Sequence, residues 1–181
     1  MTALETKLQD CFILEPKIFE DHRGYFFESF NQNQFNTLTN TNTTFVQDNE
    51  SFSTKGVLKR FEYQTGEHAQ AKLVRVIKGS VLDVAVDLRK NSPTFCQYVA
   101  VELTETNKKQ LFIPRGFAHG FVVLSETAIF SYKCDNFYNK ESEGGIIYND
   151  PTLNINWQLP EDSLIVSEKD LALPKFSDLK L

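Results

Sequence analysis

Residues 110–120, QLFIPRGFAHG, decide how this chain is built. The stretch opens as an apolar strand. Pro114, Arg115 and Gly116 then turn it, because Pro presets its own φ and Gly admits backbone angles that other residues avoid. Residues 121–124, Phe-Val-Val-Leu, form a second apolar run suited to a buried strand. His119 sits between the two runs. A polar ring between buried strands is either satisfied by a core hydrogen bond or faces a cavity that the strands enclose.

Outward from this stretch the pattern stays β. Residues 71–77, 81–88, 95–103 and 127–134 read as strands, and the short Lys78-Gly79-Ser80 joint reads as a hairpin. Residues 57–64 alternate. Leu58, Arg60, Glu62 and Gln64 take one side, and Val57, Lys59, Phe61 and Tyr63 the other. Two faces of mixed character suit a strand whose inner side lines a ligand cavity. About six strands at ~8–12 residue spacing, without helical periodicity, predict an all-β, antiparallel jelly roll with a cavity between its sheets. Residues 1–181 form a single domain in this reading.

At the N-terminus, residues 11–14 and 18–19 are short strands separated by Pro16. A strand outside the main sheet is suited to pairing with a neighbouring subunit. Residues 21–24 form a turn and 25–30 a strand, so Arg23 and Glu28 are either polar site residues or surface charges. Residues 31–44 predict a loop or a short, poorly capped helix around Phe35 and Leu38. Gln47, Asp48 and Asn49 either line a pocket or form an exposed edge. From Asp135 the chain is irregular, broken at Gly144-Gly145, Asp150-Pro151 and Leu159-Pro160, with one helical turn over 167–171 capped by Ser167.

A net charge of −5 argues against a nucleic-acid polymer as partner, while a small anionic ligand needs only a local basic cluster. No run approaches the ~18 apolar residues of a membrane helix, so no membrane partner is expected. The charged opening MTALETKLQDCF lacks the apolar core of a signal peptide, and a cytoplasmic location is expected. Cys11, Cys96 and Cys134 are widely spaced, which argues against a disulfide framework or a zinc site.

A jelly roll with a central cavity suggests the cupin superfamily. Metal-binding cupins carry an H-x-H pair and a later P-x-G-x-x-H. Pro114, Gly116 and His119 match the second part, but Glu62-Tyr63-Gln64 stand where the first is needed. One imidazole, one carboxylate and one amide make a poor transition-metal set, so no metal is expected.

Several motifs carry a closer resemblance. They are residues 21–26 (DHRGYF), 46–49 (VQDN), 71–74 (AKLV), 83–89 (DVAVDLR), 113–121, Tyr132-Lys133, Asn149-Asp150-Pro151 and 167–170 (SEKD). In this order they resemble the dTDP-4-dehydrorhamnose 3,5-epimerase family, a group of metal-free cupins. The resemblance spans nearly the whole chain. It implies a cofactor-free homodimer that inverts C3 and C5 of dTDP-4-dehydro-6-deoxyglucose on the way to dTDP-rhamnose. The C4 ketone acidifies the neighbouring C–H bonds. A base takes a proton from one face and an acid returns one to the other. By this resemblance Tyr132 is the acid and Lys72 steadies the enolate oxygen. Asp170 orients the base. Arg23, Glu28, Gln47, Lys59, His119 and Glu143 hold the nucleotide sugar.

One strand departs from the family. Its usual form, G-V-L-R-G-L-H-Y-Q, reads here Gly56-Val57-Leu58-Lys59-Arg60-Phe61-Glu62-Tyr63-Gln64. Glu62 replaces the base histidine, and Lys59 lacks arginine's bidentate fork toward phosphate. Three readings follow. Glu62 is itself the base, after burial raises its pKa; the chain binds the nucleotide sugar but turns it over weakly; or it is a related 3-epimerase or ketoisomerase.

Overall fold

The computed structural model describes residues 1–179, with Arg60 lacking a described side chain. Two antiparallel sheets lie face to face. The first runs in the order β1 (Thr2–Glu5), β2 (Phe12–Glu15), β10 (Gln110–Ile113), β7 (Lys72–Lys78), β12 (Thr127–Cys134) and β5 (Gln47–Thr54). The second runs β13 (Glu143–Ile146), β6 (Leu58–Gln64), β11 (Phe117–Val123), β8 (Ser80–Asp87) and β9 (Tyr98–Thr104). A separate hairpin joins β3 (Ile18–Asp21) to β4 (Gly24–Phe27). This is the expected jelly roll.

The Pro114–Gly116 turn carries the chain from one sheet to the other, since β10 belongs to the first and β11 to the second. Gly116 has φ +83°, and a Cβ there would stand 2.7 Å from Arg89 Cγ. The Lys78-Gly79-Ser80 joint does the same and is not a hairpin, because β7 and β8 lie in different sheets. One residue is too short for the two-residue loop of a tight hairpin. Gly79, at φ +80°, instead makes a corner where a Cβ would meet Thr127 O at 2.1 Å.

Alternation builds the core. Val74, Val76 and Phe130 of the first sheet face Val81, Ala85, Phe117, Phe121 and Val123 of the second, all buried. Fully burying each such large apolar side chain is worth ~1.5–3 kcal/mol. Leu58, Phe61, Val84 and Ile146 point out of the second sheet, where Leu153 and Trp157 of the C-terminal segment cover them. On the first sheet, Phe35 of α1 (Gln32–Thr39) packs edge-on to Phe112, with ring centres 4.9 Å apart. The helix is better capped than its sequence suggests. Asn31 accepts the Gln34 N–H at 3.1 Å, and Asn40 closes the other end in the left-handed region.

Three further expectations change. β4 ends at Phe27, so Glu28 lies just beyond the strand. Eight strands begin between Gln47 and Thr127, more than the six expected, because the polar run of β5 hid its alternating burial. Gly144-Gly145 does not break the chain but sits in β13. A Cβ on Gly144 would strike the Tyr63 ring, and one on Gly145 would strike Leu173.

Candidate active site

A β-bulge shapes one wall of the site. His119 lies opposite Glu62, yet Phe121 lies opposite Lys59, so β6 carries one residue more than β11 across this interval. The extra residue reverses the side-chain alternation. Lys59 and Glu62 therefore line one cavity, while Leu58 and Phe61 both turn to the outer core. Strict alternation had put Lys59 and Glu62 on opposite faces. A bulge is set by pairing with a neighbouring strand, which periodicity within one strand does not report.

The cavity lies between the sheets as two adjoining recesses of about 230 and 310 Å³, both lined by Glu62, Lys72 and Tyr132. Phe121 and Phe130, stacked with centroids 4.1 Å apart, line the first recess. The first sheet supplies Lys72 and Tyr132, on adjacent strands, with the Lys72 ammonium 5.9 Å from the centre of the Tyr132 ring. The second supplies Lys59, Glu62 and His119. Gln47 lines the second recess and donates to Asn49 at 3.0 Å.

His119 is 7% exposed, and its Nε2 lies 3.0 Å from each oxygen of the fully buried Asp83. Phe130 stacks over the ring at 6.1 Å. Both sequence readings of His119 are therefore met at once: a buried partner fixes the ring, and the ring lines the cavity. Asp83 was not singled out as a site residue. Its signal was a carboxylate inside the apolar run of residues 81–86.

Charge is concentrated at the same place. Burial lowers the pKa of the Lys72 ammonium, and Cys134, Glu62, Asp83 and Glu143 partly offset it. A hydrogen bond with Glu62 holds the Glu143 carboxyl down to about 2, against burial and with help from Tyr138 and Lys169. Tyr138 Oη donates to Glu143 at 2.7 Å and Lys169 Nζ at 3.1 Å, while Lys169 Nζ stands 3.6 Å from Glu62 Oε1. Lys169, a neighbour of Asp170 in the capped helix, was also missed, because that motif was read for its cap and its carboxylate.

The fold thus brings Gln47, Lys59, Glu62, Lys72, His119 and Tyr132 to one cavity, with Glu143 bonded to Glu62. Asp170 is 5% exposed in α2 (Glu168–Leu171), capped by Ser167 as expected. Arg23 and Glu28 stand apart from these recesses. Arg23 bonds Asp21 at 2.6 Å, and Glu28 accepts from Asn31 at 3.3 Å. The side chain of Arg60 lies outside the described residues. Among those described, no group of three or more His, Cys, Asp or Glu is arranged to hold a metal ion.

Comparison with known proteins agrees with this architecture. Residues 5–178 match the family model described as dTDP-4-dehydrorhamnose 3,5-epimerase. The Salmonella typhimurium dTDP-4-dehydrorhamnose 3,5-epimerase is 54% identical over 177 residues, covering 96% of this chain and 94% of that protein. The crystal structure of the Elizabethkingia anophelis enzyme of that name superposes with a TM-score of 0.96 at 58% identity, covering 98% of this chain and 97% of the other. A Legionella pneumophila 3,5-epimerase, solved in complex with dTDP-4-keto-L-rhamnose, gives 0.94 at 47% identity, covering 98% and 94%. With the family model matched over residues 5–178 and relatives covered nearly end to end, this chain belongs to the dTDP-4-dehydrorhamnose 3,5-epimerase family.

Proposed function

We propose that this chain epimerises dTDP-4-dehydro-6-deoxyglucose in dTDP-rhamnose synthesis, by removing and returning protons beside the C4 ketone. One observation carries the reading. Tyr132 and Lys72 from one sheet face Glu62 and His119 from the other across a single cavity. Inversion needs a proton taken from one face of the sugar and returned to the other. Lys72 supplies a cation for the enolate oxygen, and Tyr132 returns the proton. Glu62 stands at the base position, where Asp170 matches the family carboxylate that orients a histidine. Lys59, Gln47, His119 and Glu143 hold the nucleotide sugar. The chemistry needs no cofactor. Solvent-deuterium exchange into the substrate tests the activity: label at C3 and C5 supports 3,5-epimerisation, and label at C3 alone a 3-epimerase. For Tyr132→Phe the expected result is exchange with loss of inverted product by ~10²–10⁴-fold. Inverted product formed at an unchanged rate would refute Tyr132 as the acid.

A second reading, a nucleotide-sugar binder with weak turnover, draws support from the Glu62–Glu143 hydrogen bond and the nearby Lys169, which engage the carboxyl group at the base position.

We also propose that the chain works as a homodimer. The β3–β4 hairpin exposes Phe19, Tyr25 and Phe26, at 54%, 58% and 69%. An isolated two-stranded sheet is marginally stable in water, so an aromatic one standing apart from both main sheets suits cover by a second copy. The three free cysteines fit a reducing compartment, which supports a cytoplasmic location.

A further inference from the structure

Resting on the epimerase reading above, we infer that the proton is taken in this chain by His119, with Asp83 as its positioning residue, and not by Glu62. The argument begins with what each group is already doing. Glu62 shares a hydrogen bond with Glu143 and lies 3.6 Å from Lys169 Nζ. To act as a base it must be an ionised carboxylate free to approach carbon. Instead it is engaged by the Glu143 carboxyl and the Lys169 ammonium.

His119 has the opposite arrangement. Its Nε2 sits between the two Asp83 oxygens, 3.0 Å from each, and Asp83 is fully buried. That contact places the ring proton on Nε2 and leaves Nδ1 with its lone pair. Among the described residues Nδ1 has no hydrogen-bond partner, and the ring lines the cavity together with Lys72 and Tyr132. A buried carboxylate behind an imidazole fixes its tautomer and stabilises the imidazolium that forms when it takes a proton. Phe130 stacks over the ring, and Phe121 stacks in turn on Phe130. His119 also sits directly across the strand pair from Glu62, so it faces Tyr132 from the same wall.

The step balances without any further reactant. The C–H bond at C3 breaks and its proton goes to His119 Nδ1. Its electron pair forms the C3–C4 double bond, and the carbonyl π pair moves to O4, beside the Lys72 ammonium. Tyr132 gives its proton to C3 from the other face. The imidazolium, held against Asp83, then returns its proton to solvent while the tyrosinate takes one up. The same sequence applies at C5.

The test is solvent-deuterium exchange into dTDP-4-dehydro-6-deoxyglucose, with dTDP affinity and thermal melting measured on each protein. The unaltered chain reports on the epimerase reading, and the His119 variants report on this inference. In His119→Asn, exchange is expected to fall by ~10²–10⁴-fold while melting stays close to the parent. In His119→Ala, added imidazole is expected to restore exchange in proportion to its concentration, which a purely structural role would not produce. In Asp83→Asn, kcat is expected to fall ~10-fold or more with KM unchanged. Exchange in His119→Asn within tenfold of an active parent would overturn the inference and leave the epimerase reading intact. A loss in His119→Ala that imidazole does not reverse would overturn it as well. A parent that binds dTDP without exchanging at all would overturn both.

Discussion

Glu62→His tests whether position 62 limits the rate. The substitution removes the carboxyl that bonds Glu143 and approaches Lys169. It introduces an imidazole on the wall facing Tyr132. A well-placed general base contributes ~10²–10⁴-fold, or ~3–5 kcal/mol off the barrier at ~1.4 kcal/mol per decade. The cost in stability is smaller. Losing a hydrogen bond to a charged group costs ~1.5–3 kcal/mol. The Lys169 contact adds ~0–1 kcal/mol, because that side chain is 56% exposed. For a chain of this size the hydrogen-bond loss corresponds to a melting temperature lower by about 3–12 °C. Exchange at C3 and C5, followed by NMR well below the melting transition, should therefore rise. If His119 is the working base of the unaltered chain, His119→Asn should cost less in the Glu62→His background than alone, a coupling that a double-mutant cycle reads directly. A folded, dTDP-binding Glu62→His protein with no gain in exchange would refute the view that position 62 limits this enzyme.

Other outcomes follow from the same geometry. Burial lowers the Lys72 pKa, so its ammonium is lost as pH rises at values below the 10.5 of an ordinary lysine. The alkaline limb of the exchange rate should fall in that range, and Lys72→Arg should move it upward; an unmoved limb would assign it to another group. Burial pushes the Asp87 carboxyl up, but hydrogen bonds from Arg89, Ser92 and Thr94 outweigh it and hold the pKa below 3.8. That contribution to stability is complete above pH 3.8 and is lost as pH falls through the lowered value. Arg89→Ala leaves a fully buried carboxylate without its cation, so calorimetry should show a loss of ~3–5 kcal/mol. Phe26→Asp, on the exposed hairpin, should shift the mass seen by light scattering from dimer to monomer, and an unchanged dimer would exclude this face as the interface.

Much of the fold could be read from the chain because its information is local. The Pro114–Gly116 turn, the apolar runs of β8 and β11 and the Ser167 cap all depend on neighbours in sequence. The family resemblance likewise rests on contiguous motifs, and it named Lys72, Tyr132 and His119 before any geometry was known. What local pattern could not supply was pairing. Whether Lys78-Gly79-Ser80 closes a hairpin or crosses between sheets depends on which strands later flank β7 and β8, and β10, β11 and β12 come afterwards in the chain. The bulge that turns Lys59 and Glu62 to one side exists only in the register between β6 and β11.

The residue types at the site were therefore determined by the sequence, and their partnerships by the tertiary structure. Glu62 alone is a plausible base. Beside Glu143, from β13, and Lys169, from α2, it becomes a carboxyl group already engaged by its neighbours. His119 alone is a polar ring in an apolar run, and Asp83, 36 positions away, makes it a charge-backed imidazole. Proton chemistry depends on distances of about 3 Å between groups, and only the packing of the two sheets sets those distances.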